Sequence, residues 1–324
     1  MHSIEHYRSE FIAYLESNIR AKDPKNLYEP IAYILRLGGK RLRPVLTLMA
    51  CEIFGTDYKK ALDAALSVEM FHNFSLVHDD IMDDAPLRRG KTTVHEKWDV
   101  STGILSGDTL LVMAYKLLEN YDDKVFRNLA RLFGETAIEV CEGQQYDVDF
   151  ETRDDVTLPE YLKMIEYKTA VLLATSLKMG SIVAGASLEE QNNIYEFGRN
   201  LGIAFQLQDD YLDAFGDPKT FGKQVGGDII ENKKTFLYLK AVELGTESQK
   251  KELLDLFSIR PTDPVSKINT VKSIFMESGS AEHTQLEIQK YTKDAFGVLK
   301  NLNISDDKKL LLQHFGENLM QREV

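Results

Sequence analysis

Cysteine is scarce in this 324-residue chain: only Cys51 and Cys141 occur, and neither has a partner at the spacing of a metal module. The opening MHSIEHYRSE carries charge and no apolar segment of the kind that directs secretion. Together these features predict a reduced, cytoplasmic setting. No run reaches the ~18 uncharged apolar residues of a membrane helix, so no integral membrane segment is expected. Positive charge is also short, 39 basic against 51 acidic residues for a net −12, which argues against nucleic acid as a partner. β-type alternation is absent over any length, and no period of 20–50 residues repeats. With only 8 prolines and 20 glycines, mostly between long periodic segments, the reading is all-α. One domain spanning 1–324 is expected, a bundle of mostly antiparallel helices joined by short turns.

What the chain does have is concentrated acid. The helix expected over 60–84 is apolar at helical spacing and ends in Asp79, Asp80, Asp83 and Asp84, followed by Pro86, Arg88 and Arg89. Residues four apart on a helix share a face, so Asp79 pairs with Asp83 and Asp80 with Asp84. Two carboxylates about 4 Å apart repel by roughly 4 kcal/mol at an effective dielectric near 20. They also oppose the dipole at a helix C-terminus, so local stability does not account for them. Hard oxygen ligands suit Mg²⁺ completed by substrate phosphates, which Arg88 and Arg89 can hold through paired N–H donors. A second cluster ends the helix expected over 188–214, where Asp209 and Asp213 repeat the same relation in FQLQDDYLD.

Cations gather around these acids. In GGKRLRP, Lys40 and Arg43 flank a helix start that itself favours anions. Lys168 and Thr169 interrupt an apolar helix, where a lone lysine would ordinarily snorkel to water. The Gly-rich 217–234 stretch carries Lys219, Lys223, Lys233 and Lys234. It lacks phosphate-loop spacing and is read as a cationic lid. The Asp147-Val148-Asp149 run does not fit a Ca²⁺ loop and is read as solvated loop. The tail over 247–320 reads as amphipathic helices that complete the bundle. If the two acidic helix ends share a cavity, this much charge matches two diphosphates, and an apolar wall of Met70, Phe71 and Phe74 matches a hydrocarbon tail. A prenyl diphosphate is the ligand class that fits.

GGKRLRP, LVHDDIMDDAPLRRG, Lys168-Thr169 and FQLQDDYLD, in that order, closely resemble the trans-isoprenyl diphosphate synthases. The resemblance implies helices around a central cavity, a homodimer, and head-to-tail condensation of isopentenyl diphosphate with an allylic diphosphate (dimethylallyl, geranyl or farnesyl). By motif it assigns Mg²⁺, three per site, to Asp79, Asp83 and Asp209, with Asp80 and Asp213 in support. It assigns the allylic diphosphate to Arg88, Lys168, Gln206, Lys223 and Lys233. Isopentenyl diphosphate goes to Lys40, Arg43, His72 and Arg89; alone, His72 reads as a core histidine. Cations and metal stabilise the departing diphosphate, and dipoles of Thr169, Gln206 and backbone carbonyls face the allylic cation. The departed diphosphate takes the proton lost at the end, so no side-chain base is expected, and water must be kept out.

Product length is read from Phe74, five residues and about 7.5 Å below Asp79. In this family an aromatic residue there goes with short products. Ser75 beside it and the two-residue spacing of the acid motif resemble geranylgeranyl synthases, with farnesyl and longer-chain synthases as alternatives. A terpene cyclase would not need the isopentenyl cations. A non-catalytic partner subunit tends to lose aspartates that are intact here, and a structural scaffold leaves the paired acids unexplained.

Overall fold

The computed structural model describes residues 1–20, 22–217 and 225–321. They form two compact units, one of Met1–Glu135 with Thr175–Asn192, the other of Thr136–Ala174 with Asn193–Val324. Both are helical.

The first unit contains α1 (Ile4–Asn18), α2 (Lys25–Arg36), α3 (Leu42–Ile53), α4 (Leu62–Met82), the single turn α5 (Val94–Lys97) and α6 (Val100–Leu118), and the start of α7 (Asp123–Thr152). Side-chain caps set several starts: Ser3 Oγ accepts from His6 N ahead of α1, and Asp99 accepts from Thr102 N ahead of α6. Pro44 lies in the first turn of α3, where a missing N–H costs nothing. In α4 every residue from Ala64 to Phe71 is buried. A helix covered on all sides belongs at the centre of its unit, and α4 packs against α3 and α6. Each fully buried large apolar side chain contributes roughly 1.5–3 kcal/mol, so α4 is firmly fixed beneath its acidic end.

The second unit holds the rest of α7, then α8 (Leu158–Ile165), most of α10 (Leu188–Phe215), α11 (Gly227–Ile230), α12 (Phe236–Leu244), α13 (Glu247–Phe257), α14 (Val265–Glu277), α15 (Ser280–Val298) and α16 (Asp306–Met320). Capping boxes start α8 (Thr157 with Glu160) and α13 (Thr246 with Gln249). Between α8 and α9 (Val171–Val183) the chain makes one π-helical turn, Glu166–Ala170. Tyr161, Leu207, Phe236, Val271 and Phe275 lie in this unit's core. Among the described residues, no helix is long and apolar enough to cross a membrane.

Three local expectations need correction. A two-residue hairpin, Leu87–Arg88 against Lys91–Thr92, follows α4; it is too short for alternation to reveal. The Asp147–Asp149 stretch is helical, not loop, because α7 continues to Thr152. No glycine or proline stops it, and Tyr146 stacks on Phe150 one turn later at 6.0 Å. Finally, α4 ends at Met82, and Asp84 lies beyond it with φ of 50°, so Asp84 does not share a helix face with Asp80.

Candidate active site

At the end of α4, Asp83 N donates to Asp79 O at 2.9 Å, which keeps these two residues in the predicted i, i+4 relation. Asp79 is half-buried and Asp83 exposed. Asp80 turns inward instead, with its side chain 1% exposed. Arg88 Nε and Nη2 both donate to its Oδ1, at 2.8 and 2.5 Å, whereas Oδ2 is buried without a partner. The hairpin delivers that arginine: Arg89 and Gly90 both have positive φ, 53° and 71°, the signature of a type I′ turn.

Beside it lies a cationic turn. Gly38, Gly39 and Arg41 all have positive φ, and the turn ends at α3. Arg41 folds inward to Glu69 and to the Leu35 carbonyl, all buried. Arg43 stays half-buried, and its Nη1 donates to His72 Nε2 at 3.2 Å. An arginine can only donate, so His72 carries its proton on Nδ1. Burial, then Arg43 and Arg89, holds His72 well below the usual histidine range, leaving it neutral. Burial, with Arg89 adding to it, pulls Arg43 down to about 10. Arg89 Nη1 donates to the Gly38 carbonyl, and a Cβ on Gly39 would sit 2.7 Å from the Arg89 guanidinium carbon. Glycine there lets the arginine lie over the turn. Lys40 is exposed in the same turn. The first unit thus brings Arg43, His72 and Arg89 together around Gly38–Lys40.

In the second unit the end of α10 repeats the division of labour. Asp209 and Asp213 are half-buried, while Asp210 is buried. Tyr161 Oη donates to Asp210 Oδ2, and Gln206 Nε2 donates to Asp210 Oδ1 at 2.8 Å. Gln206 Oε1 accepts from Thr169 Oγ1 at 3.0 Å. This chain fixes the Thr169 hydroxyl as a donor to Gln206, so its oxygen lone pairs remain available to a positive charge. Thr169 and Lys168 both sit in the π-turn, where Val171 N reaches back five residues to Glu166 O. π-turns loosen the ordinary helical ladder and are frequent at functional sites. Gly143 makes room for this one: a Cβ there would lie 2.3 Å from Lys168 N.

Lys168 does not merely snorkel. Its Nζ meets Asp147 Oδ2 at 2.5 Å, an acid carried on the last turns of α7. Asp213 Oδ2 accepts from Asp228 N at 3.0 Å, which ties the start of α11 to α10. Lys233 lies 3.1 Å from Glu231. Lys219 and Lys223 lie outside the described residues, as does much of the lid expected over 217–234.

Four acids therefore meet around the end of α10: Asp209, Asp210, Asp213 and Asp228. Burial first, with Asp209 adding to it, pushes Asp210 up to about 7. Burial, then Asp210 and Asp213, pushes Asp228 well above the usual carboxylate range. Carboxyls that suppress one another's ionisation form an oxygen donor set suited to a hard cation, so this cluster fits Mg²⁺. Asp228, Asp147 and Tyr161 were missed from sequence. Gly-Gly-Asp at the start of α11 was the available signal for Asp228; the other two have none.

Phe74 is buried on α4, its ring 5.5 Å from Phe71 and 4.8 Å from His78. Ser75 spends its hydroxyl on the His72 carbonyl at 2.9 Å.

Residues 24–275 match the polyprenyl synthetase family. A geranylgeranyl diphosphate synthase of Methanosarcina mazei is 36% identical over 99% of this chain and 97% of its own length. A geranylfarnesyl diphosphate synthase of Natronomonas pharaonis is 35% identical over 95% of this chain and 93% of its own. A solved structure of a geranylgeranyl pyrophosphate synthase superposes with a TM-score of 0.96 at 53% identity, all of both chains being covered. With acid clusters, cationic turn and π-turn in place, these matches show that the chain belongs to the polyprenyl synthetase family, the trans-isoprenyl diphosphate synthases, and is a prenyltransferase making short-chain prenyl diphosphates.

Proposed function

We propose that this protein condenses isopentenyl diphosphate with allylic diphosphates, in a Mg²⁺-dependent reaction, to give geranylgeranyl diphosphate. The observation that carries the reading is the Arg43–His72 bond beside Arg89 at the Gly38–Gly39 turn. A prenyltransferase that only ionises one diphosphate has no use for this second cationic site. A neutral His72 that accepts from Arg43 directs its own Nδ1–H elsewhere, so histidine and arginines together offer donors to isopentenyl diphosphate.

Asp79, Asp83, Asp209 and Asp213 would hold Mg²⁺, with Asp228 beside the last two. When bound, the metal supplies Lewis-acid stabilisation of the leaving diphosphate. Lys168 and Lys233 add positive charge to the allylic diphosphate, and Lys223 joins them on this reading. Lys168 must trade Asp147 for phosphate oxygen when substrate arrives. As the allylic C–O bond breaks, Thr169 Oγ1 and the loosened carbonyls of the π-turn face the carbocation. The isopentenyl double bond then attacks it, and the proton lost goes to the departed diphosphate. Asp80 and Asp210 serve as buried anchors and not as ligands.

Phe74 would close the pocket below Asp79 and limit the chain. Relatives named for geranylgeranyl and geranylfarnesyl products support this length class. A homodimer is the proposed assembly. The exposed apolar side of α6 (Ile104, Leu105, Val112, Tyr115) supports it, and light scattering tests it. Two unpaired cysteines are consistent with a cytoplasmic setting.

The deciding assay incubates purified protein with Mg²⁺, isopentenyl diphosphate and each allylic diphosphate in turn, and measures product length by chromatography. The C20 diphosphate is expected; cyclic hydrocarbon, or no elongation at all, would refute the reading. Phe74→Ala should shift the product to longer chains. An unchanged product would remove Phe74 as the floor.

A further inference from the structure

We propose that His95, Asp84 and Glu96 form a separate cation site on this chain, suited to a borderline divalent metal such as Zn²⁺, Mn²⁺ or Co²⁺. One ligand atom from each of the three lies within 4.8 Å of the others. The independent observation is His95 itself. Its side chain is 4% exposed, yet neither ring nitrogen has a hydrogen-bond partner. Buried polar groups are nearly always satisfied, and Nε2 here faces Glu96 Oε1 from 3.8 Å, too far for a hydrogen bond.

An imidazole nitrogen with two carboxylate oxygens is a mixed donor set. It favours transition metals over the all-oxygen coordination that Mg²⁺ prefers. Three protein ligands with the remaining positions open to water is a common zinc arrangement. Metal–ligand bonds of about 2.0–2.2 Å put the ligand atoms of a tetrahedral site roughly 3.4 Å apart. The 4.8 Å spread must therefore contract by roughly 1.5 Å. Asp84 and Glu96 are both exposed, so rotamer changes at the surface can close the set around the fixed histidine.

The position gives the site a role. Asp84 sits in the left-handed turn that leaves α4, and His95 and Glu96 sit in α5. Between them runs the hairpin that carries Arg88 and Arg89. A bound cation would tie the two ends of that segment together and hold both arginines in register without touching substrate. It uses none of the carboxylates proposed for Mg²⁺, so the two kinds of metal can be separated experimentally.

The test titrates Co²⁺ into the full-length protein in millimolar Mg²⁺, which occupies the all-oxygen sites. The readouts are bound cobalt by equilibrium dialysis, the visible absorption of the bound ion, and the melting temperature. One cobalt per chain beyond the Mg²⁺-competed fraction is expected, with a rise in melting temperature. Glu96→Gln, at an exposed position that should leave the fold intact, should weaken this binding at least tenfold and suppress the thermal shift. His95→Gln should abolish both. Equal cobalt binding and equal spectra in wild type and Glu96→Gln would overturn the proposal, as would no cobalt retained by wild type against Mg²⁺.

Discussion

Arg88 has two possible occupations, and one substitution separates them. As a substrate ligand it would be idle in the free protein, and Arg88→Ala would change only catalysis. The structure instead has it holding Asp80, whose side chain is 1% exposed and whose Oδ2 has no partner. Removing the guanidinium would leave a buried carboxylate with no compensating charge. Breaking a buried pair this way costs about 3–5 kcal/mol. The Arg88 side chain is 27% exposed, so water would reach the vacated space, and about 2–3 kcal/mol is the better figure. Against a total stability of about 5–15 kcal/mol that is a large fraction. With an unfolding entropy of about 2.1 cal/mol/K per residue, a chain of 324 residues shifts by about 1.5 °C per kcal/mol, so this corresponds to a fall of roughly 3–5 °C in melting temperature.

Thermal and urea unfolding of the ligand-free protein measure this directly. A double-mutant cycle with Asp80→Asn isolates the pair. Once the carboxylate is neutral there is less for the arginine to compensate, so Arg88→Ala in the Asp80→Asn background should cost at least 1 kcal/mol less than in wild type. An Arg88→Ala protein that melts with wild type, or a cycle whose single effects simply add, would show that the pair contributes nothing and that Arg88 is free for substrate.

Two further outcomes follow from other residues. His72 is held below its ordinary value by burial and by Arg43 and Arg89, so the unfolded chain binds its proton more readily than the native one. Stability from this residue is therefore complete above pH ~6.5 and falls as pH drops below it, at up to about 1.4 kcal/mol per pH unit. Urea midpoints between pH 7.5 and 5.5 should show a shallower slope in His72→Gln; parallel slopes would discard the argument. Gly143→Ala should destabilise by about 1–3 kcal/mol and lower kcat, because its Cβ would meet Lys168 N at 2.3 Å. Gly297→Ala, with nothing within 4 Å, should instead be neutral or gain up to about 1 kcal/mol. Similar melting curves for the two variants would remove close packing from the explanation of the π-turn.

Helices and acid clusters were legible in the sequence because they are local. The i, i+4 relations of Asp79 with Asp83 and of Asp209 with Asp213 need only a helix, and both helices are there. Partners distant in sequence were not legible. Asp147 finds Lys168 across 21 positions and Tyr161 finds Asp210 across 49, and no spacing rule connects them. In GGKRLRP the three cations look alike as residue types. A left-handed Arg41, φ 50°, sends that side chain inward to Glu69 and leaves Arg43 to meet His72. The backbone made that choice, and composition carries no trace of it. The hairpin was missed for a related reason: its strands of two residues are shorter than any period that could announce them.

The doubled aspartates take on a different meaning from this comparison. Adjacent residues on a helix point about 100° apart, so Asp-Asp cannot direct both carboxylates the same way. At the end of α4 the second of the pair, Asp80, is buried against Arg88; at the end of α10 the second, Asp210, is buried against Tyr161 and Gln206. The first of each pair, Asp79 or Asp209, stays half-buried, and the acid four residues on is exposed at Asp83 and half-buried at Asp213. On the proposed reading, each D-D-x-x-D offers a pair of candidate ligands at i and i+4 with a buried anchor at i+1, and the anchors differ in chemistry. Asp80 has a cation beside it. Asp210 has two neutral donors and a carboxylate neighbour, and sits at about 7. The tie through Gln206 to Thr169 therefore depends on how Asp210 is held. Substitution at either anchor should act by loosening what lies next to it, without removing a ligand.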